Sequence, residues 1–199
     1  MVSITSIFSG VFASAALRKY GYAALFILMI LESASLPIPS EVVLPVAGLF
    51  AVQGIFNFYF TLVIVVIAGI IGISIDYFIA YFLSKDVVYK HLQLFHIKKE
   101  TLENFDRWFN RNGVFAVFSM RMVPVLRGLV SFPAGFAAMP KKQFYAYSIL
   151  GSLIWDVILM SFGYYALQGS TTEIIIVIGI VGIALYAVYL LIEWRMKKE

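Results

Sequence analysis

The chain has 199 residues, of which 62% are hydrophobic and 13% are charged, and it contains no cysteine. A soluble domain carries roughly 25% charged residues, so this composition is typical of a membrane protein rather than a soluble enzyme. The lack of cysteine excludes disulfides and thiolate metal sites, and His91 and His96 have no companion ligand at metal spacing, so we predict neither a metal nor a cofactor.

Residues 3–17 form the first apolar stretch, which is predicted to be a helix that lies at the membrane interface or is partly inserted. Residues 21–36 follow and would span roughly 24 Å as a helix, which is too short for a full crossing. Pro37 and Pro39 then prevent the helix from continuing. The pattern predicts two half-helices, a re-entrant hairpin over residues 21–54.

Residues 58–83 are long enough to cross the membrane with some tilt, and Asp76 is the one charge within them. Residues 84–112 are polar and show apolar residues at helical spacing, which predicts an amphipathic segment on the cytoplasmic surface. Asn112-Gly113 is predicted to end that helix.

Residues 113–140 are apolar but contain residues that an ordinary span does not tolerate. These residues are Arg121, Pro124, Arg127, Pro133 and Gly135. We predict a second re-entrant hairpin over this segment, shaped by its prolines and Gly135 as the first is shaped by Pro37 and Pro39. Residues 143–167 and 174–194 are predicted to be two full spans.

Residues 18–83 and 113–168 resemble each other, because each contains a predicted hairpin, an Ala-Gly pair and then a crossing helix. The Ala-Gly pairs are Ala47-Gly48 and Ala134-Gly135. One crossing helix separates the hairpins, so they enter from opposite sides. The prediction is an all-α polytopic membrane protein, an inverted repeat with two opposed re-entrant hairpins, about three full spans and an N-terminal interfacial helix. This layout is typical of transporters.

Lys and Arg gather in residues 85–111, at Lys141–Lys142, and in a C-terminal group of Arg195, Lys197 and Lys198. Such clusters mark cytoplasmic loops of membrane proteins. We therefore predict a multi-pass protein of the cell (plasma or inner) membrane with a cytoplasmic C-terminus. The clusters flank apolar segments and have no soluble domain to hold them, so the net charge of +4 does not predict nucleic-acid binding.

Four charged side chains fall on the predicted half-helices: Glu32, Glu41, Arg121 and Arg127. A charge inside the bilayer is costly unless it is paired, hydrated or neutralised, so we expect the four to converge in one pocket. Arginine binds phosphate through paired donors, which predicts that Arg121 and Arg127 hold a phosphate head group. Glu32 and Glu41 are predicted to take up protons that reset the site. The alternative is a structural salt-bridge cluster that pins the hairpins together.

Ser40, Asp76 and Asp156 are candidates for supporting positions around this site. Ser40 is predicted to cap the second half-helix of the first hairpin. Asp76 and Asp156 are either partners of the site or helix-surface residues near the interface. No catalytic residue is predicted, because an acid-type phosphatase would need a histidine nucleophile near an arginine and the apolar segments contain no histidine.

The motif Glu32-x4-Pro37-x-Pro39-Ser40-Glu41, with Gly113-x4-Phe118-x2-Arg121-x2-Pro124-x2-Arg127 and Pro133-Ala134-Gly135, resembles the DedA family of membrane proteins, whose domain is called VTT or SNARE-associated in eukaryotic relatives. The resemblance implies transport of phosphorylated lipids. Bacterial members are linked to the return of undecaprenyl phosphate across the membrane, eukaryotic relatives scramble phospholipids, and some members are described as proton-dependent. It also implies that Glu32, Glu41, Arg121 and Arg127 are essential.

The sequence departs from the family pattern in the first crossing helix. Many members have Gly-Asp ahead of a Tyr and then Gly-Arg, whereas this chain has Gly72-Ile73, Tyr77 and Ala80-Tyr81, with Asp76 one turn along. The leading prediction is a translocase of a phosphorylated lipid, most of all a polyprenyl phosphate. The alternatives are a phospholipid scramblase, a proton-coupled carrier of a small ion, and a scaffold without transport. The sequence does not predict an oligomeric state.

Overall fold

The computed structural model describes residues 4–83, 99–123 and 126–166, and within these ranges every regular element is a helix. The helices are α1 (Ile4–Ser33), α2 (Ser40–Val52), α3 (Phe58–Phe82), α4 (Lys99–Arg121), α5 (Leu126–Leu129), α6 (Ser131–Phe136) and α7 (Lys141–Ala166). The predicted all-α class is confirmed for the described residues. Pro124, residues 84–98 and the predicted span 174–194 lie outside them.

Among the described residues, three segments are long and apolar enough to cross a membrane: Ser14–Ser33, Phe58–Phe82 and Lys141–Ala166, with 20, 25 and 26 residues. At 1.5 Å per residue they reach roughly 30 to 39 Å, which matches the bilayer core of about 30 Å. The predicted spans 58–83 and 143–167 correspond to the second and third of these. Ser14–Ser33 covers part of the first predicted hairpin, whose re-entrant nature therefore remains a prediction.

Two glycines bend the long helices α1 and α4. Gly21 has φ 58° and ψ −135°, and Gly113 has φ 49° and ψ −114°. A side chain at either position would meet no atom within 4 Å, so backbone strain rather than space favours glycine. The predicted break at Gly113 is confirmed. The predicted helix end at residue 17 is wrong, because residues 18–20 continue the helix as far as Gly21.

Helix α1 ends with a defined hydrogen-bond pattern just before Pro37, where the sequence placed the centre of the first hairpin. The Ser35 N–H donates to the Glu32 carbonyl at 3.1 Å, and the Leu36 N–H donates to the Leu31 carbonyl at 3.0 Å. This is the Schellman pattern that ends many helices, and its left-handed position is Ser35, with φ 58°. Pro39 then precedes the first residue of α2.

The described residues divide into two compact units. The first unit takes residues 4–26, 39–65 and 154–166. In it, α2 packs closely on α7, because a Cβ at Gly48 would collide with the Met160 carbonyl. Nearby, the Tyr22 and Phe56 rings stack with their centroids 4.5 Å apart.

The second unit takes the described parts of 27–38 and 66–153. Its core joins α3, α4, α6 and the start of α7 through ten buried residues: Ile73, Tyr77, Phe109, Ala116, Val117, Met120, Val130, Ala134, Met139 and Phe144. The Tyr77 hydroxyl donates to the Met139 carbonyl at 2.6 Å. Gly135 of α6 leaves room for the Tyr77 carbonyl and the Ala80 side chain.

Helix α3 has a buried face and an exposed apolar face. The exposed face is a row at four-residue spacing, with 39–52% of each residue exposed: Val63, Ile67, Ile71, Ile75 and Ile79. Apolar residues at this spacing in a candidate span are suited to contact lipid chains. Asp76 is 2% exposed and so lies on the buried side of the same helix.

Candidate functional site

A buried ion pair joins the end of α1 to α5 within the second unit. Arg127 Nε lies 3.0 Å from Glu32 Oε1, and Arg127 Nη2 lies 3.4 Å from Glu32 Oε2. Both residues are buried, with 5% of Arg127 and 7% of Glu32 exposed. The Ser33 hydroxyl donates to Glu32 Oε2 at 3.1 Å. A paired carboxylate and guanidinium can remain ionised away from water because each neutralises the other.

Arg121 lies at the end of α4 and is the largest side chain among those that are almost fully buried. Its Nη1 donates to the backbone carbonyl of Arg127, and its Nη2 donates to Ser131 Oγ at 2.7 Å. The guanidinium carbon also lies 6.0 Å from the centre of the Phe144 ring. These contacts attach Arg121 to the segment that carries Arg127, so the two arginines are held as one group.

Asp76 of α3 is a buried acid of this unit, as Glu32 is. Its Oδ2 accepts a hydrogen bond of 2.5 Å from the Ser35 hydroxyl, and its carboxylate is attracted by the charge of Arg121. Gly72, one turn earlier, leaves space for the backbone of Ile30 and Ala34. The end of α1 is therefore held against α3 at two successive turns.

Glu41, Ser40 and Asp156 belong to the first unit. Glu41 lies in the first turn of α2 with an exposed side chain, and its convergence with the arginines remains a prediction. Ser40 is 1% exposed, and its hydroxyl has no hydrogen-bond partner among the residues that the structure describes. The predicted cap by Ser40 is wrong, because Pro39 occupies the N-cap and Ser40 is already the first helical residue. Asp156 is buried in α7.

The residues predicted to shape the hairpins lie at or near breaks in the helices, as far as the structure describes them. Pro37 and Pro39 separate α1 from α2, and Pro133 and Gly135 lie in the short helix α6. Pro124 lies outside the described residues. Sequence reasoning missed Ser33, Ser35 and Ser131, the hydroxyls that bond to the charged groups. Their signal was weak, although small polar residues in apolar segments beside charges are natural partners.

We call Glu32, Asp76, Arg121 and Arg127, all buried in the second unit, the charge cluster. Its charges balance when all four are ionised, because the two acids contribute −2 and the two arginines contribute +2. Because the ionised cluster is neutral, a bound anion would give it a net negative charge. This excess is avoided only if a carboxylate moves away from its arginine or takes up a proton. No group of three His, Cys, Asp or Glu side chains that could hold a metal occurs within the described residues.

Comparison with known proteins identifies the family. The model of the VTT domain matches residues 38–165. Undecaprenyl phosphate transporter A of Staphylococcus aureus is 36% identical over 151 residues, 74% of each chain. The Bacillus subtilis protein of that name is 30% identical over 181 residues, 86% of this chain and 89% of its own. An alkaline phosphatase-like protein of Lactococcus lactis subsp. cremoris is 29% identical over 164 residues, 80% of this chain and 76% of its own. No solved structure matches. The chain therefore belongs to the VTT domain family, the DedA family of membrane proteins.

Proposed function

We propose that this protein transports a phosphorylated lipid across the cell membrane, and that the lipid is a polyprenyl phosphate such as undecaprenyl phosphate. The observation that carries the proposal is the charge cluster, in which two buried arginines are held together. Two relatives that cover more than two thirds of the chain are named for this substrate. Only the head group has to cross, because the lipid tail stays in the bilayer.

Arg127 is the residue that binds the phosphate, and Glu32 is its resting partner. In the resting state the Glu32 carboxylate occupies Nε and Nη2 of Arg127, which are also donors that a phosphate would use. A phosphate and Glu32 therefore compete for the same guanidinium. Arg121 contributes a second positive charge and supports Arg127 through its backbone carbonyl.

Proton uptake by Glu32 favours the phosphate in this competition. A protonated carboxyl attracts a guanidinium less than a carboxylate does, so a proton on Glu32 releases Arg127 for the lipid. Loss of the proton restores the ion pair and expels the phosphate. Glu41 serves as the second acid of this cycle. Lipid and proton movement are coupled because the phosphate and the Glu32 carboxylate compete for the same arginine, Arg127.

We also propose that residues 18–83 and 113–168 are inverted repeats, each with a re-entrant hairpin. Two similarities support this division. Gly21 and Gly113 open the two repeats with the same left-handed kink. Gly48 and Gly135 each leave room for a carbonyl of a crossing helix, Met160 within the first unit and Tyr77 within the second. The positive-inside pattern supports the further proposal that the C-terminus is cytoplasmic.

The test uses purified protein in liposomes that contain undecaprenyl phosphate, with transfer followed by the exposure of its phosphate to an impermeant reagent. Wild-type protein should accelerate transfer, and Arg127→Lys should slow it at least tenfold, because lysine cannot offer two parallel donors. Lys142→Ala removes an exposed charge and serves as the control. Equal rates for wild type and Arg127→Lys would reject the proposal.

Hydrolysis of the lipid phosphate is a second candidate, because one relative is named an alkaline phosphatase-like protein. Released inorganic phosphate, measured in the same liposomes, separates the two activities. Transport predicts lipid that changes leaflet with its phosphate intact. Inhibition by a tenfold excess of ordinary phospholipid would indicate scrambling, and inhibition by a tenfold excess of inorganic phosphate would indicate carriage of a small ion. Transport of the polyprenyl phosphate predicts neither inhibition.

A further inference from the structure

We propose that Ser35 is a positioning residue: its hydrogen bond to Asp76 fixes the end of α1 so that Glu32 faces Arg127. We assign Ser35 no contact with the phosphate; it acts through Glu32 and Asp76, to which it is hydrogen-bonded. The expected effect on lipid transport rests on the proposed function. The expected effect on the interaction between Glu32 and Arg127 does not.

The backbone at Ser35 gives the first reason. Within the described ranges, three helix ends show the Schellman pattern, and their left-handed residues are Ser35, Gly54 and Ala138. Glycine is the usual residue at this position, because a Cβ is strained at positive φ. Serine at position 35, with φ 58°, therefore carries strain that glycine would not. A side chain that compensates for this strain must make a favourable contact of its own.

The hydroxyl makes that contact. Ser35 Oγ lies 2.5 Å from Asp76 Oδ2, and Asp76 is 2% exposed. A buried carboxylate needs donors, and hydrogen bonds to charged groups are stronger than those between neutral ones. Glycine would relax the backbone and lose this bond, whereas serine keeps the bond at the expense of the backbone.

Ser35 also lies close to Gly128, the residue that follows Arg127 in α5. A Cβ built on Gly128 would lie 3.2 Å from Ser35 Oγ and 3.3 Å from Ser35 Cα. On the other side, the Ser35 N–H donates to the carbonyl of Glu32. Ser35 is thus hydrogen-bonded to Glu32 through the backbone and to Asp76 through its hydroxyl, and it lies beside Gly128, the residue after Arg127. Displacement of Ser35 would shift Glu32 and the Arg127 segment relative to each other.

The first test needs no lipid. The thermal stabilities of Glu32→Gln, Arg127→Gln and the double variant give the coupling between the two side chains, measured in detergent. The same cycle is then repeated in Ser35→Gly and Ser35→Ala. We expect both to reduce the coupling, since both lack the hydroxyl. Ser35→Gly should fold well because it relieves strain. Undiminished coupling in either variant overturns the inference, whatever the transport assay shows.

Ala138→Gly is the matched control, because Ala138 holds the same left-handed position, at φ 48°, without a hydroxyl. Ala138→Gly should raise the melting temperature or leave it unchanged by strain relief, whereas in Ser35→Gly the same relief is offset by loss of the bond to Asp76. Only Ser35→Gly should slow lipid transfer, by about tenfold or more, because small misplacements of reacting groups have effects of this size. Wild-type transfer by Ser35→Gly contradicts the positioning role. A wild-type rate of transfer by Arg127→Lys would instead reject the proposed function. The positioning role of Ser35 would then be decided by the coupling between Glu32 and Arg127.

Discussion

Glu32 and Arg127 are 95 residues apart in the sequence and form a two-point ion pair inside the second unit. The pair lies where α1 ends and the short helix α5 begins, so it joins two breaks in the helical structure. A buried pair of this kind is costly to disrupt on one side only, because the remaining charge has no counter-charge. It also occupies the guanidinium that the proposed substrate needs.

Removal of one partner should therefore destabilise the protein more than removal of both. We expect Arg127→Ala to lower the free energy of unfolding by about 3–5 kcal/mol. The double variant Glu32→Leu/Arg127→Met should lose less, because apolar side chains of similar volume leave no buried charge. Chemical unfolding in detergent measures both, and Arg18→Ala, at an exposed site, is the control. A double variant less stable than Arg127→Ala would contradict this view of the pair.

Ser131 should matter for stability because it accepts a hydrogen bond from Arg121. We expect Ser131→Ala to cost about 1–3 kcal/mol, the usual penalty for a buried group left without its partner. Ser148 offers a matched control, since it is equally buried but its hydroxyl has no partner in the described part of the chain. Ser148→Ala should be neutral or stabilising. Equal effects of the two substitutions on the free energy of unfolding would show that the hydrogen bond from Arg121 to Ser131 does not stabilise the protein.

The kink at Gly113 should be sensitive to any side chain. Because φ is 49° and nothing lies within 4 Å, Gly113→Ala introduces backbone strain without a clash. We expect a loss of about 1–3 kcal/mol in unfolding free energy. Gly69→Ala is the opposite case: it lies within α3, and its new Cβ would make ordinary contact with Ser33 Oγ at 3.7 Å. That variant should gain about 0.5–1 kcal/mol. A stabilising Gly113→Ala would refute the role of backbone strain.

The predicted cytoplasmic position of Lys141–Lys142 can be tested directly, because the chain has no cysteine. Lys142→Cys places a single exposed thiol just inside α7. In intact cells an impermeant thiol reagent should label it only after permeabilisation. Ser148→Cys, at a fully buried position, should stay unlabelled in both conditions. Labelling of Lys142→Cys in intact cells would reverse the orientation.

The sequence predicted features that depend on local chemistry. Pro37 and Pro39, two residues apart, prevent a helix from continuing through them. Gly113 follows Asn112 at a position where only glycine adopts the required φ easily. The spans followed from the length of apolar stretches. Charges in such stretches need partners, which is why Glu32 and the arginines were candidates before any contact was known.

Other features depend on tertiary contacts and could not be predicted. Nothing local distinguishes Ser131 from Ser148, yet only the first meets an arginine. The left-handed Ser35 has no local signal either, because glycine is the residue expected there. Ser40 was assigned to a cap because serine is common at that position, but the helix begins one residue earlier than the pattern implied.

The two faces of α3 restrict how the protein can move during transport. A turn of the helix about its own axis by one residue, about 100°, would carry Asp76 to the face now formed by Ile75 and Ile79. A carboxylate facing acyl chains costs about 3 kcal/mol, and the Ser35 bond would be lost as well. Helix α3 is therefore expected to tilt or slide with its partners and to keep the same side toward the lipid throughout the cycle.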